Sequence, residues 1–224
     1  MCGRTTLRAT WAELHELYNA LTPKDLGRNT PARYNIAPTQ SMLFVHLDKD
    51  RQQIVSEGRW WLVPHWAKEL QSKYPMFNAR SEDAHNKPAF RDAYKTKRCL
   101  IPADGYYEWT KNANDGKKDP WLIELPESKP FSFAGLWAYN TVLDVTSCAI
   151  LTAAADPNIA EIHHRMPVIL EGSAYDAWLD PDTPVEYARE ALTSNLGGAL
   201  TYYRVGRQVN KATYDAPDCV EPVA

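Results

Sequence analysis

Nothing in the sequence approaches the run of about 18 apolar residues that a membrane-crossing helix needs, and the residues after Met1 lack the apolar stretch of a secretory signal. The expected compartment is therefore the cytoplasm. Cysteine is sparse: Cys2, Cys99, Cys148 and Cys219 are widely scattered with no C-x-x-C pair, which gives little basis for a disulfide framework or a metal site. No internal repeat or low-complexity linker divides the 224 residues, a length that one large domain can fill. Net charge is small, −3 at pH 7, which at first argues against a nucleic-acid partner.

The average conceals an asymmetry. Residues 1–100 carry 16 Lys and Arg against 10 Asp and Glu, a balance of +6, while residues 101–224 carry 9 against 18, a balance of −9. A positive groove built from the first half is thus compatible with the composition, because local field rather than net charge attracts phosphate; an unevenly solvated surface is the alternative.

The hydrophobic pattern predicts a mixed α+β chain rich in strands. Residues 10–21 repeat Trp11, Leu14, Leu17 or Tyr18 and Leu21 at helical spacing, with Thr10 and Glu13 as a capping box. Residues 41–48 and 52–60 form an expected hairpin, and strand-like runs follow at 121–125, 131–139, 148–155 and 166–170. The polar stretch 111–119 is a loop, and helical segments are expected near 83–96, 173–180 and 184–194. The architecture that fits is a single domain, 1–224, whose antiparallel strands curl into a barrel-like or folded sheet with peripheral helices.

Five stretches carry unusual chemistry. In "MCGR", removal of the initiator methionine, usual ahead of a small residue, would leave Cys2 with its α-amine and thiol side by side. With reference pKa values of about 7.7–8 and about 8.5, both groups hold some nucleophilic form near neutral pH. Such a 1,2-aminothiol condenses with an aldehyde to an imine and then closes a thiazolidine ring through sulfur; a merely tolerated small residue is the alternative. In "CLIPADGYYEW" (99–109) a strand-like run is expected to stop at Pro102 and turn at Asp104-Gly105. Glu108 then sits among aromatics that would strip its hydration and suit it to proton transfer, unless it lies on the polar side of an alternating strand. In "IHHRMP" (162–167), an extended segment would send His163 and His164 to opposite faces, so one could serve as acid or base while the other is solvated. In "FNARSED" (77–83), Asn78 can bracket a backbone group and Arg80 shares its face. The aromatic stretch 58–66, with Trp60, Trp61 and Trp66, offers stacking partners for bases or core filling, and with eight tryptophans most are expected in the core.

Together with "RYNIAPTQ" (33–40), "LTAAA" (151–155) and "VNKATYDAPDCVEP" (209–222), these stretches resemble the SOS-response-associated peptidase (SRAP) family of abasic-site processing proteins, in order over nearly the whole chain. The resemblance implies a compact β-rich domain that binds single-stranded DNA in a positive cleft and cross-links to the ring-opened abasic aldehyde through the thiazolidine. Cys2 would be the nucleophile and Asn78 would orient it. Glu108 and His163 would move protons, and Arg4, Arg80 and Arg165 would meet phosphate. It implies no cofactor, no metal and no membrane partner, and a monomer of the short bacterial type. Trp61 stands where the family's W-G-L-x-P pattern has glycine. Two rival functions remain: a thiol peptidase or self-processing hydrolase using Cys2, and a DNA-binding module in which Cys2 is incidental.

Overall fold

The computed structural model describes residues 2–18 and 31–223. The chain opens with β1 (Thr5–Leu7) and α1 (Trp11–Tyr18). The expected capping box closes the helix start: the Glu13 carboxylate accepts from the Thr10 backbone N–H at 2.7 Å, and Glu13 N–H donates to Thr10 Oγ1 at 3.3 Å. Leu14 and Tyr18 are buried, with Trp11 and Leu17 packed against the core; Leu21 lies outside the described residues. There follow β2 (Arg33–Ile36), β3 (Ser41–Leu47), β4 (Gln53–Trp60), β5 (Asn78–Arg80), α2 (Arg91–Thr96), β6 (Arg98–Ala103) and β7 (Gly105–Lys111). The second half adds β8 (Lys118–Glu124), β9 (Phe131–Asn140), β10 (Val145–Ala154), β11 (Arg165–Pro167), β12 (Ile169–Leu170), α3 (Tyr175–Leu179), α4 (Val185–Ala191) and β13 (Thr201–Arg204).

Two sheets result. The smaller is antiparallel in the order β13-β8-β7-β1-β2. In the larger, β10, β4, β3, β6 and β9 bond in turn and β9 bonds back to β10, so the strands close into a ring. The barrel-like core expected from sequence is this ring. Its closure uses one parallel pairing, β4 with β10, and β5 also runs parallel to β10, so the sheet is not wholly antiparallel.

The main core draws side chains from both sheets, including Leu7, Tyr106 and Ile123 from the smaller and Phe44, Trp60, Leu100, Phe133 and Ile150 from the larger. Strand alternation divides β7 sharply. Tyr106 enters that core, whereas Tyr107 points the other way into a second cluster with Leu122, Val205, Val209 and Cys219, where the C-terminal segment covers the sheet.

Several expectations are corrected. The predicted helix over 83–96 is a helix only from Arg91 to Thr96; the preceding residues form turns, because Pro88 disfavours helical backbone at Lys87 and brings no N–H of its own. The strand does not stop at Pro102, which lies within β6. Beyond Leu100 that strand has no pairing to β3, and a free side is where a sheet tolerates proline. The run 166–170 is two strands, β11 on β10 and β12 on β9, with the switch at Val168. The loop 111–119 is trimmed to residues 112–117 by longer flanking strands. The expectation that most of the eight tryptophans serve the core holds: Trp60 and Trp178 are fully buried, Trp11, Trp121 and Trp137 pack against the main core and Trp109 against the second cluster, while Trp66 is exposed. No helix among the described residues is long and apolar enough to cross a membrane.

Candidate active site

Four elements deliver the site. Cys2 lies three residues before the start of β1, and its backbone is held from outside: the Asn78 Nδ2 amide donates to the Cys2 carbonyl at 2.6 Å. Asn78 is placed by the parallel pairing of β5 with β10, in which Asn78 opposes Ile150 and Arg80 opposes Thr152. Asn78 and Arg80 thus share a face, as their spacing predicted, while Ala79 turns inward. The other amide atom of Asn78, Oδ1, is buried and has no hydrogen-bond partner among the described residues.

Glu108 shares the inward face of β7 with Tyr106 and is 4% exposed, which removes the alternative of a solvated carboxylate. Burial raises its pKa above the ordinary carboxylate range, and neighbouring positive charge, His163 among it, pulls the other way. His163 Nδ1 lies 4.0 Å from Glu108 Oε1. The same nitrogen accepts the Arg165 backbone N–H at 3.0 Å and sits 2.9 Å from the Arg165 carbonyl oxygen. An unprotonated Nδ1 can accept from the first and a protonated one can donate to the second, so the Arg165 peptide fits either state of the ring.

His163 and His164 do not point to opposite faces. Their rings stack at 4.5 Å with 28° between planes, because residues 157–162 form turns, the chain bends at His164 and the strand begins only at Arg165. Cys2 is wholly buried; burial pushes its thiol pKa up, and the Glu108 charge adds to the rise. The four residues expected to carry chemistry are therefore brought together.

The three arginines differ. Arg80 is exposed and forms no ion pair among the described residues. Arg4 is turned into the fold, with Nη1 donating to Asn35 Oδ1 at 2.7 Å and to the Val209 carbonyl at 2.5 Å, and with its guanidinium 5.6 Å from the Trp109 ring. Arg165 is gripped in a fork by Glu82, Nη1 to Oε1 at 2.5 Å and Nη2 to Oε2 at 2.9 Å, while Nη2 also donates to the Thr152 carbonyl at 2.6 Å.

Sequence inspection missed Glu82, Thr152 and Asn35, whose partners are distant in the chain. It also missed Tyr106, whose hydroxyl is buried without a partner among the described residues. The two-residue step from Glu108 was the available signal for Tyr106. All four cysteines are free and buried, and no group of three or more His, Cys, Asp or Glu suited to a metal occurs among the described residues.

A sequence model of the SOS response associated peptidase family matches residues 1–212. The abasic site processing protein YoqW of Bacillus subtilis is 36% identical over 225 residues, covering 99% of each chain. The abasic site processing protein YedK of Escherichia coli is 28% identical over the whole of both chains, and HMCES of Gallus gallus, of the same description, is 28% identical over all of this chain and 78% of its own. Among solved structures, a phage-related protein of Bordetella bronchiseptica superposes with TM-score 0.74 at 29% identity, covering 92% of this chain and 95% of that one. A protein of Bacteroides thetaiotaomicron shares the fold over the full length of both chains, TM-score 0.79, at 19% identity.

Proposed function

We propose, from the premise that the chain belongs to the SOS response associated peptidase family, that it processes abasic sites in single-stranded DNA by covalent capture on Cys2. One observation carries the proposal. The Cys2 carbonyl is held by Asn78 at 2.6 Å beside a buried Glu108 that lies 4.0 Å from His163. A nucleophile next to the chain's start, an orienting amide and an acid–base pair are the parts that aldehyde capture by a terminal aminothiol requires.

Removal of Met1 places the α-amine on Cys2. His163 donates a proton to the ring oxygen of the closed sugar while Glu108 takes the proton of the anomeric hydroxyl, the C1′–ring oxygen bond breaks and the aldehyde opens. The amine adds to C1′, water leaves, and an imine stands between nitrogen and C1′. The thiol then adds to the same carbon as its proton passes to the imine nitrogen, closing the thiazolidine; the net change is aldehyde plus aminothiol to ring plus water. Glu108, its pKa raised by burial, is a stronger base than an exposed carboxylate and takes and returns protons during the exchange, which suits a thiol whose own pKa is raised. Sulfur capture also removes the imine, whose acidified C2′ would otherwise eliminate and break the strand. Holding amine, thiol and aldehyde together supplies an orientation advantage of several kcal/mol.

Of the arginines, Arg80 is the one whose side chain is free to meet phosphate directly. Exposed Trp66 offers a stacking face for a base.

A denaturing gel of the mature protein with an abasic single-stranded oligonucleotide tests the proposal. A retarded band is expected for the wild type and none for Cys2→Ala or for protein that mass spectrometry shows to retain Met1. An irreversible adduct from Met1-retaining protein would overturn it. Peptide cleavage lost in Cys2→Ala, with no adduct formed, would mark a thiol peptidase instead.

A further inference from the structure

We infer that Glu82 is a positioning residue for His163, acting through Arg165; the inference rests on the capture reaction proposed above. The contacts form an unbroken chain. The Glu82 carboxylate takes both terminal nitrogens of Arg165, at 2.5 and 2.9 Å, in the planar two-point geometry that arginine and carboxylate share. The Arg165 side chain is largely enclosed, and Nη2 also donates to the Thr152 carbonyl at 2.6 Å. That carbonyl accepts the Ser81 N–H at 2.9 Å as well, so one β10 oxygen ties the turn carrying Glu82 to the strand carrying Arg165. From the Arg165 backbone, N–H and C=O meet His163 Nδ1 at 3.0 and 2.9 Å, and that nitrogen stands 4.0 Å from Glu108.

The consequence is geometric and electrostatic together. The side-chain fork anchors the first residue of β11, and the peptide of that residue orients the imidazole. Glu82 also neutralises the Arg165 guanidinium. The charged and titratable groups around His163 are Glu108 from β7, the stacked His164, Arg165 on its C-terminal side and Glu82 behind Arg165. Cys2 lies in the field of Glu108 across the site. Removing the Glu82 charge leaves the Arg165 cation without its carboxylate partner and loosens the anchor of the first residue of β11. Arg165 thus serves to hold His163, its fork taken up by Glu82 and by the Thr152 carbonyl.

Glu82→Gln in the mature protein tests this on three readouts. The first is the cross-linking rate at saturating abasic single-stranded DNA across pH, where a drop of about tenfold and a displaced pH profile are expected. The second is the salt dependence of binding to undamaged single-stranded DNA, expected unchanged. The third, made without DNA, is the ¹⁵N chemical shifts of the His163 ring, expected to show altered proton occupancy between Nδ1 and Nε2. Glu82→Asp should recover part of the rate, and it serves as the test variant if Glu82→Gln does not fold. Unchanged ring shifts and pH profile would overturn the inference. So would tighter binding with a steeper salt slope and an unaltered rate, which would make Glu82 only a competitor for a phosphate-binding Arg165. If the wild type forms no adduct, the capture reaction fails, and the ring shifts still report separately whether Glu82 controls His163.

Discussion

Thr39 holds a backbone conformation that its own side chain resists. Gln40 N–H donates to the Ala37 carbonyl at 3.1 Å, closing a turn with Pro38 and Thr39 at its centre, and Thr39 has φ 77°. Proline followed by positive φ is the pattern of a type II turn, whose third position favours glycine. A branched side chain in the left-handed region costs about 1–2 kcal/mol, and glycine's extra freedom in the unfolded chain offsets about 0.5–1 kcal/mol of the gain from replacing it. Thr39→Gly is expected to raise the melting temperature by about 1–4 °C in calorimetry; a fall would mean that threonine packing outweighs the strain.

Glu108 makes the complementary case, in which function opposes stability. A carboxyl whose pKa is raised by folding binds its proton more tightly in the native state than in the unfolded one. Its contribution is favourable below the ordinary carboxylate range and is lost as pH climbs through the raised folded value. Glu108→Gln, which carries no charge at any pH, should therefore abolish cross-linking yet gain in melting temperature relative to wild type as pH rises from about 4.5 upward. A constant difference across pH would contradict the raised value. At this scale the sequence revealed residue types well and orientations poorly. Cys2, Asn78, Glu108 and His163 stood out in the sequence by side-chain chemistry and motif, and the fold gathers them at one place. The stacking of His163 on His164 was not legible, because it depends on turns that precede β11.

Among the elements, α2 and α3 are short, and one buried cation serves both. Arg98 at the start of β6 donates Nε to the Trp178 carbonyl at 2.6 Å, Nη1 to those of Tyr94 and Lys95 at 2.8 and 3.0 Å, and Nη2 to those of Asp180 and Thr183. These carbonyls lie at the C-terminal ends of the two helices and just beyond, where unpaired oxygens and the negative end of the helix dipole favour a positive charge. Arg98→Met would leave several buried carbonyls without donors and should cost about 3–5 kcal/mol, read as a loss of about 10 °C in melting temperature. Arg98→Lys should recover only part, since one ammonium cannot span five acceptors in fixed directions. A loss under 1 °C for Arg98→Met would show that water or neighbouring groups replace it. The hairpin β3–β4 was legible from its alternation alone, whereas the shortening of α2 required weighing one proline against a helical pattern. That the helices share Arg98 could not be read locally, since Tyr94 and Thr183 are far apart in the chain.

Over the whole molecule, the hardest feature to foresee was closure of the ring. It depends on β10 lying parallel to β4, with Cys148 opposite Trp60, across nearly ninety residues. Local periodicity carries no register for such a pairing. The ring matters to the site because β10 also seats β5 and β11, and so places Asn78 and the segment beginning at Arg165 on neighbouring strands. Charge, by contrast, was visible in the sequence: the first hundred residues are positive by six and the remainder negative by nine. Of the three arginines singled out for phosphate contact, two from the first half and one from the second, Arg4 and Arg165 are already bonded to protein acceptors. Few phosphates can then be neutralised. Binding of undamaged single-stranded DNA should weaken with salt along a log–log slope of magnitude only ~1–2, at about 0.7 per phosphate. Arg80→Ala should flatten that slope by about 0.7 with no loss of melting temperature, whereas Arg4→Ala should lower the melting temperature because Asn35 and Val209 lose their donor. Titrations by fluorescence anisotropy between about 50 and 200 mM salt decide the matter: a slope unaltered by Arg80→Ala would remove Arg80 from the DNA path and leave the positive half of the chain without a demonstrated contact.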